Sequence, residues 1–210
     1  IYFCFAEPAD GGGRTALARA RLVDEGAPRL DDVKVIFRQD GPLSSGNHYG
    51  CRIAQAKDGT WAVRDDVWIH YLDRKGKLTA GYGVKDDRIG PELGFGNVVG
   101  EVYEEPVLLI KLAWGGKSLA KDFRPPSSGG EVGPYYKEIV QRTKEVLGNL
   151  KKEFPELGDR GYELGGFGWH QGWNDRVNQA FNDEYQKNLA NFIRDIRKDL
   201  GVSNLPFVIA

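Results

Sequence analysis

GYELGGFGWHQGWNDR, residues 161–176, decides how this chain of 210 residues is read. Tyr162, Leu164, Phe167 and Trp169 form a short apolar run that predicts a buried strand. The run empties into a polar tip, His170-Gln171-Gly172-Trp173-Asn174-Asp175. A helix is expected next, because Phe181, Tyr185, Leu189, Phe192, Ile193, Ile196 and Leu200 step at three and four. Gly201 stands where a C-terminal cap belongs, and Pro206 prevents continuation. Ligand sites of open α/β sheets lie just past the carboxyl ends of strands, so this tip is a candidate site. Asp175 either braces its loop or caps the helix that starts near Asn178.

Outward toward the N-terminus, Pro106-Val107-Leu108-Leu109-Ile110-Lys111-Leu112-Ala113-Trp114 is an almost continuous apolar run. It predicts a central parallel strand covered on both faces. It ends in Gly115-Gly116-Lys117-Ser118, where glycines let a backbone amide approach an anion closely. Ser118 lacks the Gly-x-Ser-x-Gly elbow of a nucleophile. Asp122 to Gly130 reads as a long surface loop, and Arg124 there is either an ordinary loop arginine or a contact for a sugar substituent. Tyr135 to Lys152 has a helical period that Phe154-Pro155 breaks.

Further upstream, Trp68 to Leu72 predicts a strand, Arg74-Lys75-Gly76 a turn and Leu78 to Gly81 its return. His70 lies within that apolar run and reads as a packed structural histidine. A helix is expected from Pro91, with Leu93, Val98, Val99 and Val102 on one face. Gly94, Gly96 and Gly100 miss dinucleotide-binding spacing and suit close helix packing instead. Strand, helix, strand, helix, strand is the pattern of a parallel α/β fold.

The first 60 residues differ. Ile1 to Phe5, Thr15 to Ala20, Val33 to Phe37 and Cys51 to Ala54 are short β-like runs separated by turns. Gly11-Gly12-Gly13 is a flexible turn, since no Gly-Lys-Ser/Thr follows it. The chain therefore divides into a β-rich segment, 1–60, and an α/β domain, 61–210.

Lysine and arginine total 29 against 30 acids, a net charge of −1. That balance points to no nucleic-acid or membrane partner. Cys4 and Cys51 make no disulfide framework and no metal signature. The chain contains no methionine and stops at an apolar run, Leu205 to Ala210, so we expect a fragment of a longer protein.

The block Gly172-Trp173-Asn174-Asp175 resembles the Gly-x-Asn-Asp block of SGNH hydrolases, and Trp169-His170-Gln171-Gly172 resembles their carbohydrate acetylesterase branch, the sialate O-acetylesterase (SASA) type. The resemblance covers residues 61–210. It implies a flavodoxin-like three-layer sandwich with a parallel sheet, here incomplete, and a Ser-His-Asp mechanism acting on an acetylated carbohydrate without a metal or cofactor. Carried over residue by residue, Asn174 donates its side-chain amide to the oxyanion. Gly115, with Gly116 as second choice, adds a backbone N–H. Gln171 orients the site or donates as well. His170, Gly116 and Arg124 are the substrate-binding candidates. The family's Gly-Gln-Ser-Asn and Asp-x-x-His segments, which supply the nucleophile and the base, do not occur in these residues.

RTALARARL, DDVKVIFRQ and SSGNHYGCRIAQAKDGT resemble the soluble PQQ-dependent aldose sugar dehydrogenases (glucose/sorbosone dehydrogenase family), which are six-bladed propellers. Under this resemblance residues 1–60 correspond to a propeller-blade piece, PQQ and calcium are the cofactors, and His48 matches the general base. The other reading of His48 is a loop histidine with no task, which we prefer because so short a segment cannot close a propeller. Both families imply a periplasmic or secreted protein.

Overall fold

The computed structural model describes residues 2–23, 29–38, 61–86 and 88–209. Two compact units are present, Ile1–Ala62 and Val63–Ala210. In the first, β1 (Tyr2–Ala9), β2 (Gly12–Val23) and β3 (Arg29–Arg38) form an antiparallel sheet in the order β1-β2-β3. Asp10 and Gly11 make the first turn, and Gly11 takes a φ of 87°, which glycine adopts without steric cost. Ala16, Ala18 and Ala20 alternate onto one face and are buried. Glu7 of β1 binds Arg14 of β2 at 2.7 Å and Arg38 of β3 at 2.9 Å, so one carboxylate ties all three strands. Hydrogen bonds from Arg38 and then Arg14 hold the Glu7 carboxyl below its ordinary range. His48, Cys51 and the strand expected at Cys51 to Ala54 lie outside the described residues, as does any pairing of Cys4 with Cys51.

The second unit is mixed α/β. Its elements are β4 (Arg64–Tyr71), β5 (Arg74–Leu78), α1 (Pro91–Val102), β6 (Val107–Lys111), α2 (Pro134–Gly148), α3 (Leu150–Glu153), β7 (Phe167–Trp169), α4 (Trp173–Arg176), α5 (Gln179–Leu200) and β8 (Phe207–Ile209). One sheet has the order β5-β4-β6, with β4 antiparallel to β5 and parallel to β6; β7 and β8 form a second, parallel pair. Parallel pairing needs a long crossover, and here α1 connects β4 and β5 to β6 while α4 and α5 connect β7 to β8.

Several sequence expectations shift. The hairpin turns at Leu72-Asp73, two residues earlier than expected, with Leu72 itself at a φ of 55°. Helix α1 does not bury Val98 and Val102; it buries Leu93, Gly96 and Gly100. A Cβ on Gly96 would collide with the Leu78 side chain and lie 2.9 Å from Leu109, and one on Gly100 would lie 2.6 Å from Val67. Close approach to the sheet thus selects the glycine face over the valine face. β6 is parallel as expected but not central: among the described residues it is an edge, with β4 in the middle. Each of its five residues is therefore only half-buried. β7 is three residues long, and Tyr162 is exposed, because 161–166 runs unpaired into it.

Packing follows from the apolar faces. Leu119, Phe123, Tyr136, Ile139, Trp169, Phe192, Ile196 and Leu205 form the main core, bringing α2 and α5 onto β7. Trp68, Val146, Phe154 and Leu157 form a smaller one. His70 is the packed histidine expected, edge-on to Phe154 at 6.3 Å. At the end of β6, Lys111 pairs with Glu92 at 2.7 Å and lies 4.2 Å from the Tyr71 ring centroid. Glu92 is buried and Lys111 half-buried, and both make further hydrogen bonds, as charges drawn away from water must.

Candidate functional site

The loop after β6 and the tip after β7 meet at the carboxyl ends of their strands. An aromatic chain lies beneath them. Trp114, on the loop after β6, lies 4.6 Å from Tyr135, which lies 5.6 Å from Phe123; Phe123 lies 5.4 Å from Trp169 at the end of β7. Rings in such tilted and edge-to-face contact fix the two loops relative to one another.

Above that chain, Asp175 is the polar centre. It is fully buried, with 0% exposure. Its carboxylate accepts the backbone N–H groups of Leu119 and Ala120, both at 2.8 Å, and Gln171 Nε2 at 2.6 Å. The brace reading of Asp175 therefore holds, and the cap of α5 is Asn178, whose side chain accepts from Phe181 N. Gln171 Nε2 also donates to Lys117 O at 2.9 Å. Both hydrogens of that amide are thereby spent, so Gln171 orients the loop instead of donating outward. Its Oε1 is buried with no partner among the described residues. Tyr185 donates its hydroxyl to Gln171 O at 2.6 Å and accepts from Trp169 Nε1 at 3.1 Å, which fixes the tip from the α5 side.

These bonds place Asn174 against the glycine turn. A Cβ added to Gly116 would lie 3.9 Å from Asn174 Nδ2, whereas one on Gly115 would meet nothing within 4 Å. Gly116 takes a φ of 70°, which suits glycine at the turn. Among the described residues, no hydrogen bond engages the Asn174 side chain or the backbone N–H groups of Gly115 and Gly116. A side-chain amide and backbone N–H groups without partners are the donor types that an oxyanion takes.

The other candidates separate from this cluster. His170 is exposed beside it. Arg124 commits its guanidinium to Ala120 O, Ser128 O, Gly129 O and Glu184, at 2.7–3.1 Å, and holds its loop together. Ser118 is buried and donates its hydroxyl to Asp122 at 2.9 Å, closing a turn. Among the described residues, no group of three or more His, Cys, Asp or Glu could hold a metal ion. Sequence reasoning missed the one-turn helix α4 and the role of Tyr185. A four-residue helix has no periodicity to read, and nothing in the helical pattern of α5 marks Tyr185 as a polar anchor.

Residues 54–210 match the sequence model of a family described as carbohydrate esterase, sialic acid-specific acetylesterase. Residues 1–64 match that of the glucose/sorbosone dehydrogenases. No curated protein matches the chain. Among solved structures, a protein from Arabidopsis thaliana shares the fold, with a TM-score of 0.51 at 19% identity, over 75% of this chain. This chain spans 65% of that protein's length.

Proposed function

We propose, because this chain belongs through residues 54–210 to the sialic acid-specific acetylesterase family of carbohydrate esterases, that its second unit carries the oxyanion side of an enzyme that removes acetyl groups from sugars. The observation that carries this reading is the unengaged Asn174 amide beside Gly116. In ester hydrolysis a hydroxyl attacks the acetyl carbonyl, whose oxygen becomes negatively charged. Donors already aimed at that oxygen lower the barrier because they need no reorganisation when the charge develops. Asn174 Nδ2 supplies one donor. The backbone N–H of Gly116, with Gly115 beside it, supplies the second. Gln171 and Asp175 hold both loops in register, and His170 borders the substrate. A flavodoxin-like sandwich is the architecture we assign, supported by the two parallel pairs and their helical connections.

The serine and histidine of the reaction have no counterpart within these residues. Neither a Gly-Gln-Ser-Asn nor an Asp-x-x-His segment occurs, and Ser118 is locked in its turn. The 210-residue chain is accordingly expected to hydrolyse p-nitrophenyl acetate no faster than its Ser118→Ala variant. Supplying the two segments, ahead of Arg64 and after Ala210, is expected to give saturable acetate release from O-acetylated sugars. In that extended chain Asn174→Ala should lower kcat by about 10²–10³, the loss expected for one oxyanion donor. An unchanged kcat would overturn the assignment.

The match of residues 1–64 favours a second reading for the first unit, a piece of a sugar dehydrogenase. Among the described residues of that unit, no group of three or more His, Cys, Asp or Glu could hold a metal ion. Dye reduction dependent on added PQQ is the measurement that would establish it.

A further inference from the structure

The glycine turn that carries the backbone donors has little packing of its own. Gly115 and Gly116 are exposed, and a Cβ added to Gly115 would meet nothing within 4 Å. Asp175 fixes the chain only beyond the turn, at Leu119 and Ala120. Glycine loses more freedom on ordering than any other residue, so two in a row keep one direction only if their flanks are held. Both flanks meet a single ring. Trp114, which precedes the turn, lies 4.6 Å from Tyr135. Lys117, which follows it, places its ammonium 4.8 Å from the same ring centroid. That ring is itself anchored, because Tyr135 is the second residue of α2 and its backbone N–H donates to Asp122 O at 3.1 Å. Phe123 lies 5.6 Å from it on the other side of the contact chain. The Asp122 carboxylate stands 3.9 Å from the Lys117 ammonium and steadies it at the ring.

We propose that Tyr135 is a positioning residue for the candidate oxyanion site, its ring clasping Trp114 and Lys117 so that the N–H groups of Gly115 and Gly116 keep one direction. Ring–ring contact acts on one flank and cation–ring attraction on the other, so loss of the ring releases both. The Tyr135 hydroxyl makes no hydrogen bond among the described residues. The aromatic face is therefore the working part, and phenylalanine should replace it. This role deepens the esterase reading and rests on it: backbone donors lower a barrier only when their direction is set before the charge develops.

The test is NMR relaxation of the Gly115 and Gly116 amide nitrogens in the 210-residue chain, a readout that needs no catalytic serine. In the parent chain and in Tyr135→Phe both amides are expected to be rigid, with order parameters of about 0.85. In Tyr135→Leu they should fall below about 0.6 while the amides of β6 and α5 keep their values. Lys117→Ala leaves the Lys117 carbonyl to Gln171 and should loosen Gly116 too. It decides alone if thermal unfolding shows that Tyr135→Leu does not fold. Glycine amides already mobile in the parent, amides as rigid in both variants as in the parent, or a loss spread evenly over the core each overturns the role. In the extended chain Tyr135→Leu should lower kcat by about tenfold with KM unchanged, and Tyr135→Phe should keep the parent value. Loosened amides but no acetate release from the extended chain would sink the hydrolase reading and leave the clasp standing. Acetate release with a kcat indifferent to Tyr135→Leu would do the reverse.

Discussion

The Asp175 carboxylate accepts the Leu119 backbone N–H at 2.8 Å across 56 positions of sequence, joining the loop after β6 to the tip after β7. Every donor in the candidate site takes its place from that junction.

Replacing Asp175 with asparagine turns one acceptor into a donor facing N–H groups that are already donors. With the carboxylate fully buried, we expect a loss of about 2–4 kcal/mol, read as a lower urea midpoint with an unchanged slope. A midpoint within error of the original would show that the junction is not needed for folding.

Glycines at two helix positions should respond in opposite directions. Gly96→Ala drives a methyl into Leu78 and Leu109 and should cost about 1–3 kcal/mol through overpacking. Gly148→Ala, at the end of α2, meets nothing within 4 Å and should gain about 0.4–1 kcal/mol by restricting the unfolded chain. Paired thermal melts decide it; an equal response at both sites would refute the close packing of α1 on the sheet.

His70 links stability to acidity. Burial pushes its pKa below the ordinary 6.5, partly offset by Glu153 and reinforced by Lys75 and Arg142. Well above pH 6.5 both the folded and the unfolded chain leave it neutral, and it has no pH-dependent effect. As pH falls below that value the unfolded chain binds the proton first, so stability declines until the depressed folded pKa is passed. His70→Phe should flatten the stability curve in that window. A slope unaltered by the substitution would place the linkage elsewhere.

The loop of Arg124 is fastened to α5 by Asp195, which accepts from Ser127 N at 2.8 Å and Ser127 Oγ at 2.6 Å. Removing that acceptor with Asp195→Ala should cost about 1–3 kcal/mol and open residues 126–130 to limited proteolysis. Cleavage rates equal to those of the parent chain would mean that Arg124 and Asn191, which bonds Ser128, hold the loop without Asp195.

What the sequence revealed follows from how far each signal reaches. Helix α5 is legible because seven apolar residues repeat over six turns and Gly201, with a φ of 75°, caps it where expected. The site loops are legible because short polar stretches directly follow apolar runs. The buried face of α1 was misread, since hydrophobicity favours Val98 and Val102 while the clearance to Leu78 and Leu109 admits only glycine. No local pattern records a distance to a neighbouring strand. Which of Gly115 and Gly116 lies nearer Asn174 depends on where that side chain lands, and no local pattern records it. His48 falls outside the described residues, so the sequence remains the sole source for it.

Each parallel pair brings together residues forty positions apart, Val67 with Val107 and Phe167 with Phe207. Neither pair borrows a strand from the other. Amide protons of β4 and β6 should therefore exchange with deuterium as one group and those of β7 and β8 as another, at separate rates. Gly116 follows β6 and Asn174 follows β7, so separate opening of the two pairs would change the distance between these candidate donors.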